Sequence, residues 1–390
     1  MENQGSSPGS SRSKNKSTFA KFLEDRKDHN LLKLTKILGK IFLLFLLLYL
    51  FMLSITLMGS ALTLFGKDFA EKLIETTSNP LVGLVIGVLA TSIVQSSSTT
   101  TSVVVGLVGA NALSIANAIP IIMGANVGTS VTNLLVSLGH ISHKGEFRRA
   151  FAAAIVHDIF NILAVIIIFP IQYFTNILGI FSEFLAKMFQ HLGGLKAVSP
   201  IKVITEPVVK LIEKITFNSG MIILILSLVL LFFTLRYLVK ILKSLFIDKF
   251  EKFFDKVVFK NAFIGLLFGL IITAVVQSSS ITTSLIVPLV GAGILKLKQI
   301  FPYTLGANIG TTVTAMLASL ATGNISAIAV AFAHLCFNVI GVSIIFPFKF
   351  IPIEMAKWMA KISIKSKIYP LLYIALIFFI IPFLIIYFMR

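Results

Sequence analysis

The chain alternates long apolar runs with short polar breaks, and the runs have the length of helices rather than strands. Ile41–Phe65, Met221–Leu235 and Tyr369–Met389 are almost free of charge and mark membrane-crossing helices. Residues 1–40 are rich in Ser, Lys and Arg and read as a disordered basic tail on the cytoplasmic side. The apolar run after them is too long for a signal-peptide core, and no small-residue cleavage site follows it closely. Residues 41–65 then form the first transmembrane helix. Two similar apolar blocks occupy 79–170 and 261–347, joined by interfacial and transmembrane helices over 171–260. Within 354–367, Lys357, Lys361 and Lys365 recur at every fourth position beside Trp358, the pattern of a basic helix lying on the membrane surface. Residues 368–390 form a last transmembrane helix. The expected fold class is all-α, a polytopic membrane protein.

The two blocks repeat one another. Gln95-Ser96-Ser97-Ser98 recurs as Gln277-Ser278-Ser279-Ser280 at an offset of 182 residues. At the same offset Thr100-Thr101-Ser102 meets Thr282-Thr283-Ser284, Gly124-Ala125-Asn126 meets Gly306-Ala307-Asn308, Gly128-Thr129 meets Gly310-Thr311, and Val131-Thr132 meets Val313-Thr314. His157 and Asn161 match His334 and Asn338 at an offset of 177. Duplicated, hydroxyl-rich, glycine-broken apolar segments are the sequence sign of a secondary transporter with its site where the repeats meet. Balanced charge precedes the first block (Lys67 and Lys72 against Asp68, Glu71 and Glu75). The second is preceded by Arg236, Lys240, Lys243, Lys249, Lys252, Lys256 and Lys260 against only Asp248, Glu251 and Asp255. Basic flanks face the cytoplasm, so the blocks read as inverted repeats entered from opposite sides of the membrane.

Composition sharpens this. Hydrophobic residues make up 56% of the chain and charged residues 13%, with mean hydropathy +0.96, which excludes an ordinary soluble domain. The net charge of +18 sits mostly at segment ends, where anionic lipid accounts for it; no nucleic-acid motif is present and no nucleic acid is expected. Cys336 is alone, so no intramolecular disulfide forms. The expected location is the inner (plasma) membrane with the N-terminus in the cytoplasm. Nothing in the sequence sets the oligomeric state, and a monomer is compatible with it.

The candidate chemistry lies in the repeated residues. Successive serines favour helix ends, so each motif marks a break whose following half-helix turns free N–H groups toward an anion. Ser96, Ser97, Ser98, Ser278, Ser279 and Ser280 add neutral donors for an oxyanion. Gln95, Gln277, Asn126, Asn308, Thr129, Thr311, Thr132 and Thr314 offer hard oxygen ligands for a small cation, and Asp158 is a lone carboxylate inside an apolar segment. No Lys or Arg lies in either motif. The competing readings are structural: small residues packing helices together for the serines, a tight helix crossing for the glycines, and an ion pair with Arg148, Arg149 or His157 for Asp158. A carrier of another oxyanion such as sulfate, an intramembrane serine hydrolase and a passive scaffold are the competing functions. The missing Gly-x-Ser-x-Gly elbow weighs against the hydrolase, and no enzyme is expected.

These stretches resemble the type II sodium–phosphate cotransporter family. The resemblance rests on Q-S-S-S-T-T-T-S from Gln95, Q-S-S-S-I-T-T-S from Gln277, I-P-I-I-M-G-A-N-V-G-T-S-V-T-N from Ile119, E-F-R-R-A-F-A-A-A-I-V-H-D from Glu146 and L-G-A-N-I-G-T-T from Leu305. It implies sodium-coupled import of inorganic phosphate, as HPO4 2−, with sodium as coupling ion and no other cofactor. It also implies two inverted repeats, each with a re-entrant helical hairpin carrying one Gln-Ser-Ser-Ser. Electrogenic members carry Ala-x-Ala-x-x-x-Asp; Ala152, Ala154 and Asp158 fit that pattern, which implies a further sodium site at Asp158. The short connection between repeats, without a cysteine pair, resembles bacterial members.

Overall fold

Apolar runs bounded by Asn, Ser and Gly fold here as helices throughout. A computed structural model describes residues 10–191, 199–253 and 261–389, and every regular element among them is helical. In order these are α1 (Ser10–Phe65), α2 (Lys67–Thr76), α3 (Pro80–Val94), α4 (Ser97–Gly109), α5 (Ile115–Gly128), α6 (Val131–Leu138), α7 (Lys144–Thr175), α8 (Ile177–His191) and α9 (Ser199–Ile215). They continue with α10 (Gly220–Phe253), α11 (Ala262–Val276), α12 (Ser279–Ser284), α13 (Ile286–Gly291), α14 (Leu297–Thr322), α15 (Ile325–Ile345), α16 (Phe350–Ser363), α17 (Ile368–Ala375) and α18 (Ile381–Met389). A π-helical turn, Leu376–Ile380, joins the last two. Among the described residues six helical stretches are long and apolar enough to cross a membrane: Thr35–Phe65, Ile115–Leu138, Lys144–Thr175, Gly220–Ile241, Ile325–Ile345 and Ile368–Met389. Helix α1 reaches back to Ser10, into the stretch expected to be a disordered tail. That stretch holds Ala20, Leu23, Leu31 and Leu32, all good helix formers. Residues 1–9 of the tail, and Lys256 and Lys260 of the basic flank, lie outside the described residues.

The repeated blocks begin alike. Asn79 accepts a hydrogen bond from the Leu81 N–H to cap α3, and Asn261 accepts one from the Phe263 N–H to cap α11. Each of these helices has 15 residues, about 22 Å at a rise of about 1.5 Å per residue, which falls short of a bilayer core of about 30 Å. Each then ends at its glutamine and the chain doubles back. Thr91 Oγ1 donates to Thr100 Oγ1 at 3.0 Å, and Thr273 Oγ1 lies 2.8 Å from Thr282 Oγ1. Residues nine apart in one straight helix would be separated by about 13 Å, so α3–α4 and α11–α12 are helical hairpins.

What holds each hairpin is a helix crossing too close for side chains. A Cβ added at Gly87 would overlap the Ile121 carbonyl and one at Gly124 the Leu84 carbonyl, so α3 and α5 touch backbone to backbone. Gly269 against Tyr303 and Gly306 against Leu266 repeat the arrangement between α11 and α14. The glycines of Gly-Ala-Asn-x-Gly-Thr therefore serve packing, the structural alternative open at the sequence level. Beyond the hairpins the blocks interlock crosswise: α4 packs on α14 and α15, while α12 and α13 pack on α6 and α7. One difference breaks the correspondence. Thr129 and Ser130 interrupt the first block between α5 and α6, whereas α14 runs unbroken through the matching positions.

Candidate functional site

The two hairpin tips have the same backbone and meet. Gln95 adopts φ 55° and ψ 29°, Gln277 φ 57° and ψ 27°, both in the left-handed region, and each closes its helix by an N–H bond to Thr91 or Thr273. The next serine is an N-cap in each case: the Ser96 hydroxyl accepts from the Thr99 N–H at 3.2 Å, the Ser278 hydroxyl from the Ile281 N–H at 3.4 Å. The N–H groups of Ser97, Ser98, Ser279 and Ser280 precede the helical ladder and are left at the tips. Ser98 Oγ donates to the Gln277 carbonyl at 2.9 Å, so residues 179 apart in sequence close one tip against the other.

Both tips line a single cavity of about 710 Å³. Gln95, Ser96, Ser98, Gln277, Ser278 and Ser280 are on its wall, with Thr132. Ser97 and Ser279 are not; they are buried behind it, and their carbonyls accept from Thr101 and Thr283. Asn126, Thr129, Asn308, Thr311, Thr314 and Asp158 also stand back from the wall. Helix α10 closes the cavity with Phe232, Phe233 and Tyr237, and contributes Arg236, the one charged residue on the wall among the described residues. The motifs are neutral, as expected, but the cavity they form is not.

Behind the tips a row of polar side chains crosses from block to block. Asn133 Nδ2 donates to His157 Nδ1 (3.1 Å) and to Thr283 Oγ1 (2.9 Å). Asn308 Oδ1 accepts from His157 Nε2 at 2.6 Å, Asn308 Nδ2 donates to Asn161 Oδ1 at 2.6 Å, and Asn161 Nδ2 donates to the Asn126 carbonyl at 2.9 Å. These partners assign His157 as the neutral tautomer with its proton on Nε2. The row exists once. Ala315 stands where the offset places a mate for Asn133, and both ring nitrogens of His334 are buried without a hydrogen-bond partner. The hydroxyls of Thr132 and Thr314, a matched pair, are also buried and unpartnered.

The profile of the Na+/Pi-cotransporter family matches residues 50–196 and 230–383, which include both tips, the row behind them and the helix that carries Arg236. The chain belongs to the Na+/Pi-cotransporter family. It is 34% identical over 444 residues to sodium-dependent phosphate transport protein 2B of Homo sapiens, an alignment covering 88% of this chain and 64% of that protein. It is also 34% identical to sodium-dependent phosphate transport protein 2A of Ovis aries (88% of this chain, 66% of that protein) and of Rattus norvegicus (90% and 68%). The chain thus spans about two thirds of the length of these relatives. No solved structure matches it significantly. The resemblance carried by the paired motifs is borne out at the level of the family.

In this Na+/Pi-cotransporter family member Asp158 is fully buried but pairs with neither Arg148, Arg149 nor His157. Ser130 Oγ lies 2.9 Å from Asp158 Oδ1 and 2.7 Å from the Val127 carbonyl, and the Tyr373 hydroxyl donates to Asp158 Oδ2. Thr129 and Thr311 donate to the carbonyls four residues back, at 3.0 and 2.9 Å, leaving their lone pairs open. Asn126 Nδ2 reaches the Ile122 carbonyl at 3.4 Å. Sequence reasoning missed Asn133, Ser130, Thr283, Tyr373 and the cavity position of Arg236. Ser130 was within reach, following Gly128-Thr129 where the second block has Thr312. Tyr373 and Arg236 lie outside both blocks.

Proposed function

We propose that this chain is a symporter that carries inorganic phosphate, as HPO4 2−, inward with sodium ions by alternating access. The observation that carries the reading is the meeting of two serine-capped hairpin tips on one cavity. Hydroxyls of Ser96, Ser278 and Ser280 and the free N–H groups of α4 and α12 supply donors to the phosphate oxygens, and the Ser98 hydroxyl, which donates to the Gln277 carbonyl in this conformation, joins them when it leaves that carbonyl. Ser97 and Ser279 contribute through those backbone groups rather than through their side chains. Arg236 draws the anion to the cavity. Serving at its wall rather than in the motifs, it attracts phosphate without locking it at the tips.

Sodium takes the oxygens of Gln95 and Gln277 at the tips and the hydroxyls of Thr132 and Thr314. A buried hydroxyl without a partner is costly, and a cation beside it removes the cost. Asn126, Thr129 and Thr311 complete the set. Asn308 Oδ1 already accepts from His157, so in this conformation it positions the row rather than holding an ion. Asp158, with Ser130 and the Val127 carbonyl, forms a further sodium site. A net positive charge moved through 100 mV is worth about 2.3 kcal/mol, so the added sodium gives import a driving force from membrane potential. His157 Nε2 is engaged with Asn308, not with a motif serine, which supports transport over hydrolysis.

Matched tip angles and crosswise packing support two inverted repeats with re-entrant hairpins. The basic residues between His140 and Arg149, at the entry to α7, and those of α16 support a cytoplasmic placement of those ends, with the N-terminus on the same side, in the plasma membrane. Flux and current in proteoliposomes test the proposal. Phosphate uptake should require an inward sodium gradient, carry inward current and survive excess sulfate. Sodium-independent uptake, or full competition by sulfate, overturns it. Asp158→Gly should keep uptake and lose the current.

A further inference from the structure

A second cavity, of about 360 Å³, has a different character. Arg148 and Arg149 at the start of α7, Lys296 at the head of α14, and Lys357 and Lys361 of α16 all line it. Arg149 is held in place, its Nε donating to the Gly291 carbonyl at 2.8 Å. Lys357 bonds Glu354 at 2.6 Å. No other carboxylate among the described residues forms an ion pair with these five cations. Glu354 feels the excess: its carboxyl is held below its ordinary range, first by the Lys357 hydrogen bond and then by the charges of Lys357, Lys298 and Lys361. Five cations around so small a volume repel one another unless an anion lies among them. The rest of the wall is apolar, with Leu295, Leu297 and Ala360.

We propose that this pocket binds the phosphate headgroup of an acidic phospholipid, independently of the cavity at the hairpin tips. Guanidinium forks and ammonium groups match phosphate oxygens, and the apolar wall takes the glycerol and the first methylenes of the acyl chains. Free inorganic phosphate would use the cations but leave the apolar wall bare. Helix α16 has the form of an interfacial anchor, with Trp358 63% exposed and Phe350 61% exposed beside its lysines. The pocket is walled by the first block through α7, by the second through the α13–α14 turn, and by α16, so a bound headgroup would bridge all three.

Trp358 is the only tryptophan and sits next to Lys357, which makes it the reporter. The full chain is reconstituted in phosphatidylcholine vesicles, and Trp358 quenching is followed as phosphatidylglycerol with brominated acyl chains replaces the host lipid. Brominated phosphatidylcholine is the reference. Half-quenching should come at a several-fold lower mole fraction of the acidic lipid. Arg148→Gln and, separately, Lys361→Gln should each weaken that preference about fivefold, the contribution of one surface cation. Wild-type and variant chains that quench alike with both lipids overturn the proposal, as does a preference unchanged in both variants. Reversal of the quenching by added inorganic phosphate would assign the pocket to the free anion and overturn the lipid.

Discussion

Gln95 and Gln277 hold φ near +55°, a region where a side chain with a Cβ costs about 1–2 kcal/mol and glycine costs nothing. The backbone alone would favour glycine at both tips, so the amide side chains are kept for what they touch. Replacing both by glycine should raise the thermal midpoint of the purified protein while abolishing sodium-driven phosphate uptake; loss of stability together with uptake would show the glutamines to be structural. Repetition made these residues legible, because a motif written twice stands out from small-residue packing. The same reasoning hid the residues written once. Asn133 is matched by Ala315 and Ser130 by Thr312, so comparing the blocks sets aside two side chains that organise the site. Asp158 was legible as a buried carboxylate, but its tyrosine partner comes from 215 residues away and no local pattern points to it.

At the scale of elements, the hairpins depend on backbone-to-backbone crossings. Gly124→Ala or Gly306→Ala would drive a methyl group into the carbonyl of Leu84 or Leu266. Overpacking of this kind costs about 1–3 kcal/mol even where side chains can yield, and here the obstacle is main chain. Both variants should lower the thermal midpoint, whereas Ala125→Gly, which adds no atom to the crossing, should lower it less. Helix α17 makes the other link at this scale. Tyr373 reaches Asp158 from a segment that turns π-helical three residues later, a geometry often found beside functional groups. Tyr373→Phe removes a charge-assisted hydrogen bond and should shift the sodium concentration for half-maximal current about tenfold, in a direction that shows whether Tyr373 assists or competes with the ion. An unchanged sodium dependence would separate α17 from the cation site. That two hairpins exist was legible in the sequence; that α17 and α10 complete the site was not, since both lie outside the repeats and depend on the tertiary arrangement.

For the whole molecule, the decisive fact is that a neutral pair of tips shares a cavity with the guanidinium of Arg236. Arg236→Gln should raise the KM for phosphate about tenfold with little change in maximal rate, if the guanidinium acts on the free anion and not on its translocation. Uptake kinetics that fall in rate instead would place Arg236 on the moving part. The row from Asn133 to Asn126 has a further consequence. Each donor in it gives its N–H to the next acceptor in the same sense, Asn133 to the His157 ring nitrogen, His157 to Asn308, Asn308 to Asn161 and Asn161 to the Asn126 carbonyl. A carboxylate at Asn308 could still receive the imidazole proton, but it would confront the oxygen of Asn161. That amide would then have to rotate, setting its own oxygen against the Asn126 carbonyl. Polarity in such a wire is a collective property, so a fault at one link is felt at its far end.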